Sequence, residues 1–222
     1  MAEVQNREVE SKAMEVKEHF GAERACILVD LFNLTAHAAN RAAEVVRNTL
    51  SNNVNRDVKQ SVFMQEGEAA ARDLRENAKV RYVESELEEQ AALEEVEREA
   101  REVLTPSVID AAAVISASAL SEEQLLTAAD SVAPAGDAAA DTLLTLLSVA
   151  MERDLDMVVH HISAMNPEWE RAILDLSICA ENPSVDEDDI EARFETLAKD
   201  TPDGPAILTA GQNDLNIANL IR

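Results

Sequence analysis

At 222 residues the chain has room for one or two domains, and its 46% hydrophobic content can build a core. Only six residues are aromatic, so that core must be aliphatic and Ala-rich, which suits closely packed helices better than a β-sandwich. The formal net charge of −25, from 44 acids against 19 bases, argues against the clustered Lys and Arg that nucleic acid or an anionic membrane requires.

Residues 3–19 read as a charged, weakly amphipathic helix, a candidate mobile arm, and Gly21 is expected to interrupt it. From Ala22 to Leu50 a stronger helix follows. Leu28, Leu31, Ala38, Ala42 and Val45 step by threes and fours, and Ile27, Leu34 and Val46 widen the face. Ser51-Asn52-Asn53-Val54-Asn55 is a turn, since Ser and Asn side chains compete with the helical backbone.

Asp57 to Leu104 contains no Pro, and its one Gly is Gly67, a candidate kink or a break between two shorter helices. As one helix these 48 residues span about 72 Å at roughly 1.5 Å per residue. A compact chain of 222 residues has a radius of gyration of only about 17 Å. The helix therefore projects, folds back, or packs on another chain. Val80, Val83 and Leu87 step by three and four, and Leu93, Val96, Ala100 and Val103 resume in a shifted phase, like a stutter in a coiled-coil seam. Two arrangements fit: an antiparallel hairpin with residues 22–50, or an intermolecular coiled coil. The nine acids from Glu84 to Glu102 form a solvated face with Glu–Arg pairs at four-residue spacing.

Thr105-Pro106 is a helix start and a compositional boundary, from Glu/Arg-rich to Ala/Leu/Asp-rich. Residues 1–104 carry 22 acids and 14 bases, a net of −8; residues 105–222 carry 22 and 5, a net of −17. Ser107–Leu120 is apolar almost all round and is expected at the centre of a bundle. Ser121–Gln124 is a capping box for a helix to about Val132. Pro134-Ala135-Gly136 is a loop, and Asp137 is expected to cap a helix carrying Leu143, Leu144, Leu146, Leu147, Val149 and Met151. That helix either continues or breaks near Asp154 into Leu155–Met165. Asn166-Pro167 starts a helix that ends at Asn182-Pro183, and Ser184–Glu187 reads as a second capping box. After the turn Thr201–Pro205, the tail carries Ile207, Leu208, Leu215, Ile217, Leu220 and Ile221, enough apolar surface to suggest docking.

Motifs for chemistry are sparse. No Glu-x-x-His occurs, as a di-iron bundle would need. His160-His161 should place one ring toward the core, and that ring is expected to be buried and bonded to backbone. Asp186–Asp189 lacks the mid-loop Gly of a calcium loop and is explained by the helix dipole. Cys26 and Cys179 lie in separate apolar patterns, and each is expected to be a small buried hydrophobe in a reducing, cytoplasmic setting. Trp169 is a packing anchor. The polar N-terminus is no signal peptide, and no apolar run is long enough to span a membrane.

The expectation is an all-α protein. Residues 1–104 form an extended helical arm or hairpin, with a coiled coil as one option, and residues 105–222 form a compact acidic bundle with an apolar tail. The function expected is non-enzymatic: structure or assembly through contacts with other copies or other protein subunits, as in a virion or another large particle. No cofactor, metal or small-molecule substrate is implied, and the location is the cytoplasm or an assembled particle. The interaction residues expected are Val80, Val83, Leu87, Leu93, Val96, Ala100 and Val103 in the long helix, with Leu215, Ile217, Leu220 and Ile221 in the tail. The alternative is an acidic adaptor that masks a basic partner surface.

Overall fold

The structure, a computed structural model, describes residues 10–108 and 110–200. These residues are all-α. They form helices α1 (Lys12–Phe32), α2 (Leu34–Thr49), α3 (Arg56–Val103), α4 (Ala111–Ser118), α5 (Glu122–Val132), α6 (Ala140–Glu152), α7 (Asp156–Ser163), α8 (Pro167–Ala180) and α9 (Glu187–Leu197). No strand occurs among the described residues. Short 3-10 segments cover Ala133–Ala139 and Ala198–Asp200.

Packing divides the described residues into two units, one of 10–17 with 90–183 and one of 18–89 with 184–200. The division falls within α1 and α3 rather than at residue 105. The reason is that α3 carries apolar residues along its whole length. Its 56–89 stretch meets α1, α2 and α9, and its 90–103 stretch meets the shorter helices.

The unit of residues 18–89 and 184–200 is a helical hairpin closed by α9. Ile27, Leu31, Leu34 and Ala38 pack with Ala70, Ala71, Ala78, Tyr82 and Val83. Ala39, Ala42, Ala43 and Val46 surround Phe63. Cross-helix pairs run antiparallel: Glu23 with Ser85, Asp30 with Arg81, and Val46 with Phe63. Alanine at most of the buried α2 positions lets the backbones approach closely. The long helix thus folds back on residues 22–50 within this unit, the hairpin alternative of the two the pattern allowed. From α9, Ile190 and Phe194 are fully buried against the same cluster.

Two boundaries differ from the sequence pattern here. Gly21 does not interrupt α1, and a Cβ there would meet nothing within 4 Å. The hitch falls instead at Asn33, whose side-chain amide donates to Val29 O while the backbone bonds Asn33 to Val29 and His37 to Asn33 persist. The Ser51–Asn55 turn is present, and Asn55 Oδ1 accepts from Asp57 N–H at the start of α3. α3 runs through Gly67, which is buried.

The other unit is a bundle centred on α6. Leu143, Leu144, Leu146, Leu147, Val149 and Ala150 are all buried, among Ala117 of α4, Leu125 and Ala129 of α5, Val158 and Ile162 of α7, and Trp169 and Ala172 of α8. Trp169 is an anchor of this core. The apolar Ser107–Leu120 stretch is not central. Only Ala111–Ser118 is helical, Asp110 caps it, and of its residues Ala117 alone is buried. α4 turns one side to the core and leaves Ile115 72% exposed, while Val108, which precedes the helix, is 67% exposed.

Capping explains most helix ends. Ser121 and Gln124 form the expected capping box. Asp137 does not cap α6: it lies inside the 3-10 segment, and Asp141 instead accepts from Ser107 N–H and hydroxyl. α6 ends at Asp154, whose φ of 53° is left-handed, with Leu155 N–H bonded to Ala150 O and Asp154 N–H to Met151 O. This is a Schellman motif with Asp where Gly is usual. Asn166 caps α8. Asp186, not Ser184, caps α9, because its carboxylate reaches Asp189 N–H.

Gly21 and Gly136 give opposite expectations. Gly21→Ala should stabilise by about 0.5–1 kcal/mol, since the site is helical and open. Gly136 has φ 61°, so Gly136→Ala should destabilise by about 1–2 kcal/mol. Urea denaturation followed by circular dichroism checks both signs.

Candidate interaction surfaces

The seam expected along α3 is divided by burial. Val83 belongs to the hairpin core, Leu93 and Val96 to a cluster with Ala13 and Cys179, and Ala100 to the α6-centred core. These four already have partners within the chain. Val80, Leu87 and Val103 are exposed at 46%, 39% and 40%. Leu215, Ile217, Leu220 and Ile221 lie outside the described residues.

A different helix face presents apolar atoms to solvent. On α1, Ala22, Ala25, Cys26, Val29 and Phe32 are all exposed, and Ala36 of α2 continues the row. Val29 is 56% and Phe32 68% exposed. Positions 22, 25, 29, 32 and 36 alternate steps of three and four, the spacing of a coiled-coil seam. This helix is therefore apolar on two faces, one buried in the hairpin and one open. The signal lay in the sequence, but it is carried by alanines beside the stronger Leu28, Leu31 and Ile27 pattern. Cys26 is consequently exposed rather than buried.

The same row has charged ends. Glu18 is exposed on the N-terminal side. On the C-terminal side His37, Arg41 and Arg47 are exposed, and with Asn40, Glu44, Asn48 and Leu74 they line a cleft of about 510 Å³. Arg47 Nε donates to Ala43 O, and Arg41 makes no ion pair among the described residues.

The bundle has its own exposed apolar positions. Val108 and Ile115 lie beside exposed Ala111, Ala112 and Ala119, and Met157 is 69% exposed on α7.

Polar groups mostly hold the fold. Asp175 is 3% exposed and accepts from the Ser11 hydroxyl at 2.6 Å and Ala13 N–H at 3.1 Å. Ser11 Oγ accepts from Met14 N–H. A carboxylate at the first turn of α1 complements its dipole. Lys12 Nζ meets Glu99 at 2.6 Å, which raises the Lys12 pKa and lowers that of Glu99. The expected pairs on the acidic face are present: Arg98 with Glu95 and Glu102, and Arg101 with Glu97. Glu89 departs from that face, being 7% exposed and paired with Arg24.

Neither ring of the His160-His161 pair is buried. His160 is exposed, and His161 Nε2 lies 2.8 Å from Asp130 Oδ1 at the surface. Val158 and Ile162, four residues apart, take the core face of α7, and positions 160 and 161 fall off that face. Cys179 is buried, with its thiol directed to Leu93 O, and burial pushes its pKa up. Asp186 and Asp189 serve the α9 cap, with Glu187 and Asp188 in the same first turn. Among the described residues no group of three or more His, Cys, Asp or Glu is placed to hold a metal ion. No described helix is long and apolar enough to cross a membrane.

No protein-family model, curated protein or solved structure matches this chain.

Proposed function

We propose that this chain is a non-enzymatic structural or assembly protein that works through contacts with copies of itself or other protein subunits. The observation that carries the reading is the open apolar face of α1, where Val29 and Phe32 lie in solvent within a row of small residues. Single exposed apolar side chains are ordinary; a contiguous apolar row on a helix already buried on another side is a contact surface. The exposed Val108 and Ile115 of the bundle add a second apolar region suited to a further subunit. A component of a virion or other large particle, inside a cell or within the particle, is the setting that best suits several such surfaces on one chain.

The second reading, an acidic adaptor for a basic partner, is favoured by the net charge of −17 in residues 105–222. Salt separates the two. Exposed charges are screened beyond about 8–10 Å at physiological salt, whereas apolar association survives or strengthens. Light scattering after size exclusion should give a mass that is a multiple of 24.2 kDa and persists at about 1 M salt. A 24.2 kDa species at every concentration would remove self-assembly.

A further inference from the structure

We propose that the open face of α1 is a two-fold interface with a second copy of this chain, the two α1 helices antiparallel and crossing at Val29. This rests on the assembly reading above and names its partner and its site.

The pattern along the face is complementary to its own reverse. Three and four residues before Val29 stand Cys26 and Ala25, both small; three and four after stand Phe32 and Asn33, whose amide is turned back onto Val29 O. Seven before is Ala22 and seven after is Ala36. Eleven before is Glu18; eleven and twelve after are Asn40 and Arg41. All of these positions are exposed. In an antiparallel pair each Phe32 ring therefore covers the Ala25 and Cys26 of the other chain, where small side chains leave room for it. Ala22 faces Ala36, allowing close approach, and Glu18 of each copy faces Asn40 and Arg41 of the other. Arg41 lines a cleft with Glu44 but makes no ion pair among the described residues.

A parallel pair is worse on each count. Phe32 would meet Phe32, Ala25 would face Ala25 across a gap, and Glu18 and Arg41 would each face its own kind. Like charges placed opposite one another are unfavourable. A two-fold pair needs one patch that fits itself, and this face meets that condition in both bulk and charge. It spans 15 residues, about 21 Å at roughly 1.5 Å per residue, so the pair is a modest interface and depends on concentration.

The test uses the full chain. Wild type should form dimers of twice 24.2 kDa. Val29→Glu with Phe32→Glu should return it to 24.2 kDa with unchanged helicity, since both residues are exposed. Glu18→Arg and Arg41→Glu should each weaken the dimer by about fivefold, and together should restore it. In a Cys26→Ser background, Val29→Cys lies on the two-fold axis and should cross-link on oxidation. Phe32→Cys in the same background is displaced about 9 Å along the helices from its mate and should not.

An assembled wild type unaffected by Val29→Glu and Phe32→Glu would overturn this interface and leave the assembly reading standing. A monomer at all concentrations would overturn this interface together with self-assembly, and would confine the assembly reading to contacts with other subunits. Cross-linking through Phe32→Cys but not Val29→Cys would overturn the antiparallel arrangement. A monomer whose Cys26 reacts faster once residues 201–222 are deleted would assign the face to the chain's own tail, and that too would overturn it.

Discussion

Phe194→Ala should cost about 3–5 kcal/mol, the range for deleting a fully buried aromatic ring. Phe194 has no exposed surface, and its ring lies 5.6 Å from that of Tyr82. With Ile190 and Ala198 it joins α9 to Ile27 and Leu31 of α1 and Ala78 and Val83 of α3. α9 has only 11 residues, below the length at which an isolated helix holds in water, so its helicity depends on this docking. The ion pairs on the same helix offer little compensation. Arg75–Glu195 and Lys79–Glu191 hold exposed carboxylates, and pairs of that kind are worth about 0–1 kcal/mol. Urea denaturation monitored by circular dichroism measures the loss, and Ile190→Val should cost about 0.5–1.5 kcal/mol as a graded control. A cost below about 1 kcal/mol for Phe194→Ala would mean that α9 is held by something other than this ring.

Tyr82 gives a second readout of the same contact. Burial first, and then the neighbouring Glu86 carboxylate, raise its phenol pKa above the ordinary value of 10.0. A folded pKa above the unfolded one contributes stability that is complete below about pH 10 and is lost as pH rises through the folded value. Removing the Phe194 ring uncovers the phenol. Its ultraviolet titration should then move down toward the ordinary value, and the alkaline loss of stability should shrink.

The helical class, the 51–55 turn, the Ser121 capping box and the Asn166-Pro167 start were legible because each rests on local chemistry, whereas the sequence left open whether the helix breaks at Asp154. Caps and turns act within about four residues, and one sequence window contains them. Burial was less legible. The Ser107–Leu120 pattern looked central, yet Asp110 starts the helix late and α6 supplies the larger leucine face. The His160-His161 pattern implies one core ring, yet Val158 and Ile162 take the core positions and His161 meets Asp130 of α5 at the surface. The α3 seam and the open α1 face show the same limit from two sides. Periodicity marks a face as apolar but does not say what covers it. Val83, Leu93, Val96 and Ala100 are packed against other described residues, while Val29 and Phe32 are exposed. Whether a row of apolar residues is core or contact depends on residues distant in sequence. Here those are α9 and α8, which begin about 100 and 70 residues after those seam positions.

Arg24→Met should cost about 3 kcal/mol, and Arg24→Met with Glu89→Met should recover most of it. Arg24 Nη1 faces Glu89 Oε2, and neither atom has another hydrogen-bond partner among the described residues. Arg24 Nε is also 3.4 Å from Glu86, and the three side chains are only 9–17% exposed. Removing the guanidinium leaves two partly buried carboxylates, three residues apart on α3, with Arg193 at 3.9 Å from Glu86 as the remaining cation. An uncompensated buried charge costs about 3–5 kcal/mol, and the lower end applies because some solvent reaches this site. The paired charges themselves add little, since desolvating both offsets most of their attraction, and two methionines of similar length can fill the space. The double variant should therefore lie within about 1 kcal/mol of wild type, a coupling of about 2 kcal/mol or more in a double-mutant cycle. Additive losses would show that Arg24 acts through its packed methylenes rather than its charge. The larger coupling would instead make this pair a register lock. It holds α1 against α3 at one antiparallel alignment, and a slip of one helical turn would strand Glu89 without its cation. That alignment also keeps Ile27 and Leu31 buried against α3 and leaves Val29 and Phe32 exposed.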